Sequence, residues 1–134
     1  MREDKVKIKL NPIVETVKDK RVILVDDSIV RGTTCVRVAK LLRDAGAKEI
    51  HIRSSAPEFL NPCYYGTDVP NRDMLIANQH TKEEIREMIG VDSLNYLDLE
   101  DMKKIATLGG KNGFCYACFE GKYATEIPTP SVNI

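Results

Sequence analysis

Val22-Ile-Leu-Val25 runs directly into Asp26-Asp27, and no other junction in the chain narrows the possible folds as much. Four consecutive aliphatic residues, three of them β-branched, suit a strand covered on both faces of a parallel sheet. A polar loop occupies residues 26–34. Beyond it Val38, Leu41, Leu42 and Ala45 recur on one stripe of a helix, which Gly46 stops at a C′ position. Lys48-Glu-Ile-His-Ile-Arg53 then alternates polar and apolar residues as a second strand. Strand, loop, helix, glycine and strand in about thirty residues make a βαβ unit, so the class is α/β with a parallel sheet.

The rest of the chain is coarser reading. Lys5-Val-Lys-Ile-Lys-Leu10 alternates as a half-buried strand, either a lysine-edged surface strand or a basic arm near a phosphate. Pro57, Pro62, Gly66 and Pro70 make residues 54–78 irregular. Thr81 and Glu84 form a capping box for a helix carrying Ile85, Met88 and Ile89 before Gly90. A short strand is expected at residues 93–97, and Asp98 caps a helix with Met102, Ile105 and Ala106. From Gly109 onward neither period is visible.

Charge excludes some functions. Twenty Lys and Arg balance twenty Asp and Glu, so no net field favours nucleic acid or an anionic membrane. No apolar run is long enough to span a bilayer. Met1 is followed by Arg-Glu-Asp-Lys rather than a secretory signal, which makes a cytoplasmic, reducing setting the expectation. There Cys35, Cys63, Cys115 and Cys118 read as metal ligands or free thiols rather than disulfides.

The loop at 26–34 carries the chemistry. It places two carboxylates at the carboxyl end of a buried strand, where open α/β sheets bind ligands. Ser28, Ile29, Val30, Arg31, Gly32, Thr33 and Thr34 lead into the first turn of a helix, whose free N–H groups favour a phosphate. Gly32 lets the backbone approach closely, and Ser28, Thr33 and Thr34 offer hydroxyls. Asp26 and Asp27 only accept, so they suit a sugar diol or a hydrated Mg²⁺. Arg31 is either a phosphate contact or a solvated loop cation. The plainer reading, an acidic strand end with Thr33 as an ordinary cap, needs all of these residues to stand in this order by coincidence. Neither the GxxxxGK[ST] nor the GxGxxG pattern is present.

These residues resemble the motif of the type I phosphoribosyltransferase family, and Val22 to Thr34 matches it without a gap. Within that family the wording Asp-Asp-Ser-Ile-Val-Arg-Gly-Thr-Thr is similar to the amidophosphoribosyltransferases. So are Lys7-Ile-Lys-Leu10, Asn61-Pro-Cys-Tyr-Tyr-Gly-Thr-Asp68, Leu75-Ile-Ala77 and the stretch from Cys115 to Ile127. The resemblance implies a transferase that uses phosphoribosyl pyrophosphate (PRPP) and glutamine to make 5-phosphoribosylamine, the first step of purine synthesis. It implies Asp26 and Asp27 on the ribose hydroxyls and Mg²⁺, and residues 28–34 around the 5′-phosphate.

Members of that family begin with a glutaminase domain bearing an N-terminal cysteine nucleophile, and Met1 aligns inside their transferase domain. The resemblance therefore implies a piece of a longer, homo-oligomeric protein that lacks its N-terminal glutaminase and transferase half. Residues 1–108 would be a partial transferase domain truncated at its N-terminus, and residues 109–134 a Cys-containing tail packed on it. Such a piece is expected to bind PRPP and to be inactive alone.

Cys115-Tyr-Ala-Cys118 is a metal knuckle or an incidental pair of thiols. By resemblance Cys63, Cys115 and Cys118 match three ligands of a [4Fe–4S] cluster whose fourth lies outside this chain. Zinc with His80 as fourth ligand is the rival, and Cys35 is a packed thiol. His51 and His80 read as surface histidines. Two other functions stay open: a PRPP-sensing module without catalysis, distinguished by what lies upstream in the reading frame, and a small cysteine-based metal-binding interaction protein, which requires the Asp-Asp loop to be incidental.

Overall fold

A computed structural model of the chain describes residues 14–69 and 71–127, so the strand expected at 5–10 lies outside the described residues. A helical turn, α1 (Val14–Val17), precedes strand β1 (Arg21–Asp26), helix α2 (Thr33–Asp44) and strand β2 (Glu49–Ser54). After an irregular stretch come a 3-10 turn at Arg72–Met74, α3 (Ile76–Gln79), α4 (Lys82–Ile89), β3 (Ser93–Tyr96), α5 (Leu99–Ala106) and α6 (Ala117–Glu120). The sheet is parallel with order β1-β2-β3. In register, Val22 lies beside Ile50, and Leu24 beside Ile52, which is beside Leu94.

Those side chains share one face and build the main core. Ile50, Ile52 and Leu94 join Cys35, Ala39 and Leu42 of α2 and Ile85 and Ile89 of α4. Helix α2 presents this stripe because positions 35, 39 and 42 recur at helical spacing. Gly46 then takes a φ of 90°, the left-handed turn that ends the helix. The Thr81–Glu84 capping box forms in both directions, and the Asp98 carboxylate accepts the N–H groups of Glu100 and Asp101.

Three expectations change. Among the described residues β1 is an edge strand covered on one face: Ile23 and Val25 are 66% and 68% exposed. An apolar run shows that a strand tolerates burial on both sides, not that a layer lies on both. Met88 and Ile105 are also exposed, because the buried stripes of α4 and α5 are narrower than the apolar pattern. Among its described residues the tail forms one helical turn, α6, which buries Ala117 and Phe119.

The opposite sheet face carries a polar ladder. His51 bridges Ser93 Oγ at 2.8 Å and Glu49 Oε2 at 3.0 Å, and Arg21 donates to the same Glu49 oxygen at 2.7 Å. His51 is thus a half-buried ladder residue rather than a free surface histidine.

A second, smaller cluster lies beyond the sheet. Ala56, Phe59, Val69, Leu75 and Phe119 are its buried members, and Cys63, Tyr116 and Cys118 pack against it. Phe59 and Phe119 meet with ring centroids 4.8 Å apart.

Candidate functional site

The carboxyl end of β1 opens into a cleft of about 340 Å³ lined by residues 26–35 and by Asp68. All nine loop residues singled out from the sequence line it. Their side chains divide the work. Ile29 is 1% exposed in the main core and Val30 packs on the second cluster, so both anchor the loop. Asp27, Arg31, Thr33 and Thr34 are exposed.

The loop's shape follows from a few contacts. The carbonyl of Asp26 accepts the N–H of Ser55 at 2.8 Å, and that of Val30 accepts the N–H of Ile76 at 3.0 Å. Gly32 turns the chain into α2 with φ 76°, and a Cβ there would stand 2.8 Å from Ile76 Cδ1. The left-handed φ is what calls for glycine, since the end of the Ile76 side chain could shift aside. No side chain caps α2, so its first amides remain available to an anion.

The carboxylates differ. Asp26 is half-buried: its Oδ1 accepts the N–H of Asp27 at 2.9 Å, and its Oδ2 accepts the thiol of Cys35 at 3.5 Å. Asp27 accepts the Ser28 hydroxyl at 3.3 Å through Oδ1, leaving Oδ2 without a partner among the described residues. A metal could take Asp27 as a ligand only alongside water and substrate oxygens, since no three His, Cys, Asp or Glu side chains converge on one point among the described residues. Mg²⁺ is commonly bound in that way, through one or two carboxylates plus substrate phosphates.

Sequence reasoning missed two residues here. Asp68 reaches the cleft by the reversal of an irregular segment, which leaves no periodic signal. Cys35 stands directly behind Asp26 rather than merely filling space.

The other cysteines lie elsewhere. The tail folds back so that the Cys118 carbonyl accepts N–H groups of Leu60 and Asn61, each at 3.0 Å, and the Tyr123 hydroxyl donates to Pro62 O at 2.6 Å. Cys63 and Cys118 pack on the second cluster, whereas Cys115 is exposed. The Cys63 thiol is held below its usual range by backbone N–H donors, first that of Tyr65 at 3.4 Å from sulfur. Burial pushes the Cys118 thiol up, and the charges of Cys63 and Cys115 add to it. His80 lies 4.0 Å from Glu84, its i+4 neighbour, and belongs to no such group of ligands. Cys118 thus lies near enough to Cys63 and Cys115 to feel their charges, while no three His, Cys, Asp or Glu side chains meet as ligands of one metal ion among the described residues.

Comparison with known proteins bears on this geometry. The family model described as phosphoribosyl transferase domain matches residues 3–70. The amidophosphoribosyltransferase of Archaeoglobus fulgidus is 48% identical over 129 residues, covering 96% of this chain and 28% of its own length. That of Methanocaldococcus jannaschii is 49% identical over 126 residues, 94% of this chain and 26% of its own. Among solved structures, the glutamine PRPP amidotransferase from B. subtilis complexed with ADP and GMP superposes with a TM-score of 0.82 at 46% identity. That match covers 98% of this chain and 30% of the solved one. The chain therefore spans between a quarter and a third of the length of these three proteins.

Proposed function

The chain belongs to the phosphoribosyl transferase domain family, and from that premise we propose that it is the PRPP-binding part of an amidophosphoribosyltransferase, with residues 1–108 a partial transferase domain and 109–134 a tail of the same unit. The observation that carries this is the cleft: two adjacent carboxylates at a strand end, then an uncapped helix start behind a left-handed glycine. The 5′-phosphate docks on the amides and hydroxyls of residues 28–34, where the helix dipole favours negative charge. Asp26 and Asp27 accept from the ribose hydroxyls, and Arg31 adds a cation on the rim.

Bound Mg²⁺ would supply charge neutralisation of the departing pyrophosphate. The chain's own contribution is positional. It fixes the phosphate at one end of the sugar and the diol beside it, so the anomeric carbon is presented in one orientation as an oxocarbenium-like centre develops. The carboxylates near that centre stabilise positive charge. Ammonia released from glutamine would be the nucleophile, drawn from sequence beyond this chain.

The remaining readings are finer. Among the described residues no helix is long and apolar enough to cross a membrane; a cytoplasmic setting and a homo-oligomeric whole protein are proposed on the likeness to metabolic enzymes. Cys63, Cys115 and Cys118 as three ligands of a [4Fe–4S] cluster is supported by the shared cluster under Cys63 and Cys118 and the N–H aimed at the Cys63 sulfur. Its fourth ligand would lie outside this chain, and no step of the chemistry runs through it.

Calorimetry with Mg²⁺ and PRPP on the wild type and Asp27→Asn tests the site. Loss of a charged acceptor should weaken binding by roughly 1.5–3 kcal/mol. Equal affinity would sink the assignment.

A further inference from the structure

Asp26 is held at four points. Asp27 N–H meets Oδ1 at 2.9 Å and Cys35 Sγ meets Oδ2 at 3.5 Å, while the Ser55 N–H and hydroxyl meet the main-chain oxygen at 2.8 Å and 3.2 Å. Of the two donors to the carboxylate itself, one is a backbone group that any sequence would supply. The other is the Cys35 side chain on a different element, nine residues on, at the first turn of α2.

Cys35 is 2% exposed, wedged between that turn and the main core. A space-filling thiol would need only apolar neighbours. This one stands against a carboxylate oxygen, and a hydrocarbon in its place would leave a half-buried carboxylate short of a donor. A carboxylate oxygen only accepts, so in this contact the thiol is the donor.

We propose that Cys35 is a positioning residue for the phosphosugar site, its S–H fixing the orientation of the Asp26 carboxylate that faces the cleft. The inference rests on the reading of the cleft as a ribose 5-phosphate site. It separates the cleft into two parts that act independently: the loop amides that take the phosphate, and a carboxylate set from behind that takes the sugar. Cys35 acts on the second alone.

The test is a set of calorimetric titrations of the chain with ribose 5-phosphate and, separately, inorganic phosphate. In Cys35→Ala, ribose 5-phosphate should bind about fivefold more weakly, as befits one modest hydrogen bond acting indirectly. Cys35→Ser, which restores a donor, should recover most of that loss. Inorganic phosphate should bind all three alike. In an Asp26→Asn background, Cys35→Ala should add nothing further.

Unchanged ribose 5-phosphate binding in Cys35→Ala overturns the inference. So does a serine variant as weak as the alanine one, or a parallel fall in phosphate binding, which would mean the loop had collapsed. If Cys35→Ala does not fold, Cys35→Ser and Cys35→Val take its place, with the hydroxyl expected to keep binding and the hydrocarbon to lose it. A wild type that binds no ribose 5-phosphate strikes the reading of the cleft itself, so the two failures are distinguishable.

Discussion

Under the sheet, among the described residues, fourteen buried residues from Val17 to Leu94 pack on a regular parallel ladder. Beyond it, five buried residues between Ala56 and Phe119 are held by turns, two aromatic rings and hydrogen bonds to the backbone of residues 60–62. The first region draws its stability from area buried by repeating elements, the second from a small number of particular contacts. The candidate site sits on the seam between them. Ile29 belongs to the first cluster and Val30 to the second; Leu75 belongs to the second and Ile76 to the first. A loop pinned from two bodies keeps its shape only while both are folded, so the weaker region limits the site even though it supplies just one lining residue, Asp68.

The comparison breaks or holds on a pair of truncations. Ile52 is fully buried in the central strand, and Ile52→Ala should cost about 3–4 kcal/mol of global stability. Phe119→Ala removes a larger side chain but from the smaller cluster. Its cost should appear as faster amide exchange in residues 60–69 and 115–127, with the sheet's exchange nearly unchanged. Equal loss of sheet protection in both variants would show that the clusters unfold as one unit.

A second test bears on the ladder. Asp92 Oδ2 accepts the N–H of Ile50 at 2.7 Å and pairs with Arg43 at 2.6 Å. These contacts hold its carboxyl below the usual range, the backbone N–H first and Arg43 after it. A depressed carboxyl contributes stability that is present at neutral pH and lost as pH falls through its folded value. Asp92→Ala should therefore cost about 1–2 kcal/mol near pH 7, almost all from the orphaned N–H, because the ion pair is more than a third exposed. The gap should begin to narrow only below the ordinary carboxylate pKa of about 4 and close further as pH falls through the lower folded value. Denaturant melts at several pH values check this, and a gap that stays constant into acid would remove the carboxylate from the account.

What the sequence disclosed follows the same division. The strand, loop and helix at 22–44 and the Thr81–Glu84 box were legible because their signals are local: an apolar run, a period, a cap spacing. The acidic loop was legible because chemistry-bearing residues stand consecutively. Exposure of Ile23 and Val25 was not, since a run of residues does not say which faces are covered. The second cluster was hidden because Phe59 and Phe119 meet across sixty positions with no period linking them. Cys35 was visible as a helix residue, but its role as donor depends on where the Asp26 carboxylate points.

The smallest expected effect separates two helices that look alike in sequence. Thr81 caps α4 and Asp98 caps α5, with N–H groups accepted at 3.3 Å and 2.8 Å respectively. Removing either cap should cost about 1 kcal/mol. The consequences should differ, because α4 buries Ile85 and Ile89 in the main core, while α5 has no fully buried residue. In Thr81→Ala the packed face keeps α4 folded, so the cost is drawn from global stability and exchange within the helix rises only slightly. In Asp98→Ala only the partly buried Leu99 and Met102, packed on the smaller cluster, hold the first turns, so residues 99–106 should exchange markedly faster at nearly unchanged global stability. Lys103 of α5 pairs with Glu120 of α6 at 3.1 Å, so the fraying should extend into the tail. Should Asp98→Ala instead lower the melting temperature as Thr81→Ala does, with α5 still protected, α5 would belong to the main core's cooperative unit and the boundary between the two regions would have to be drawn beyond it.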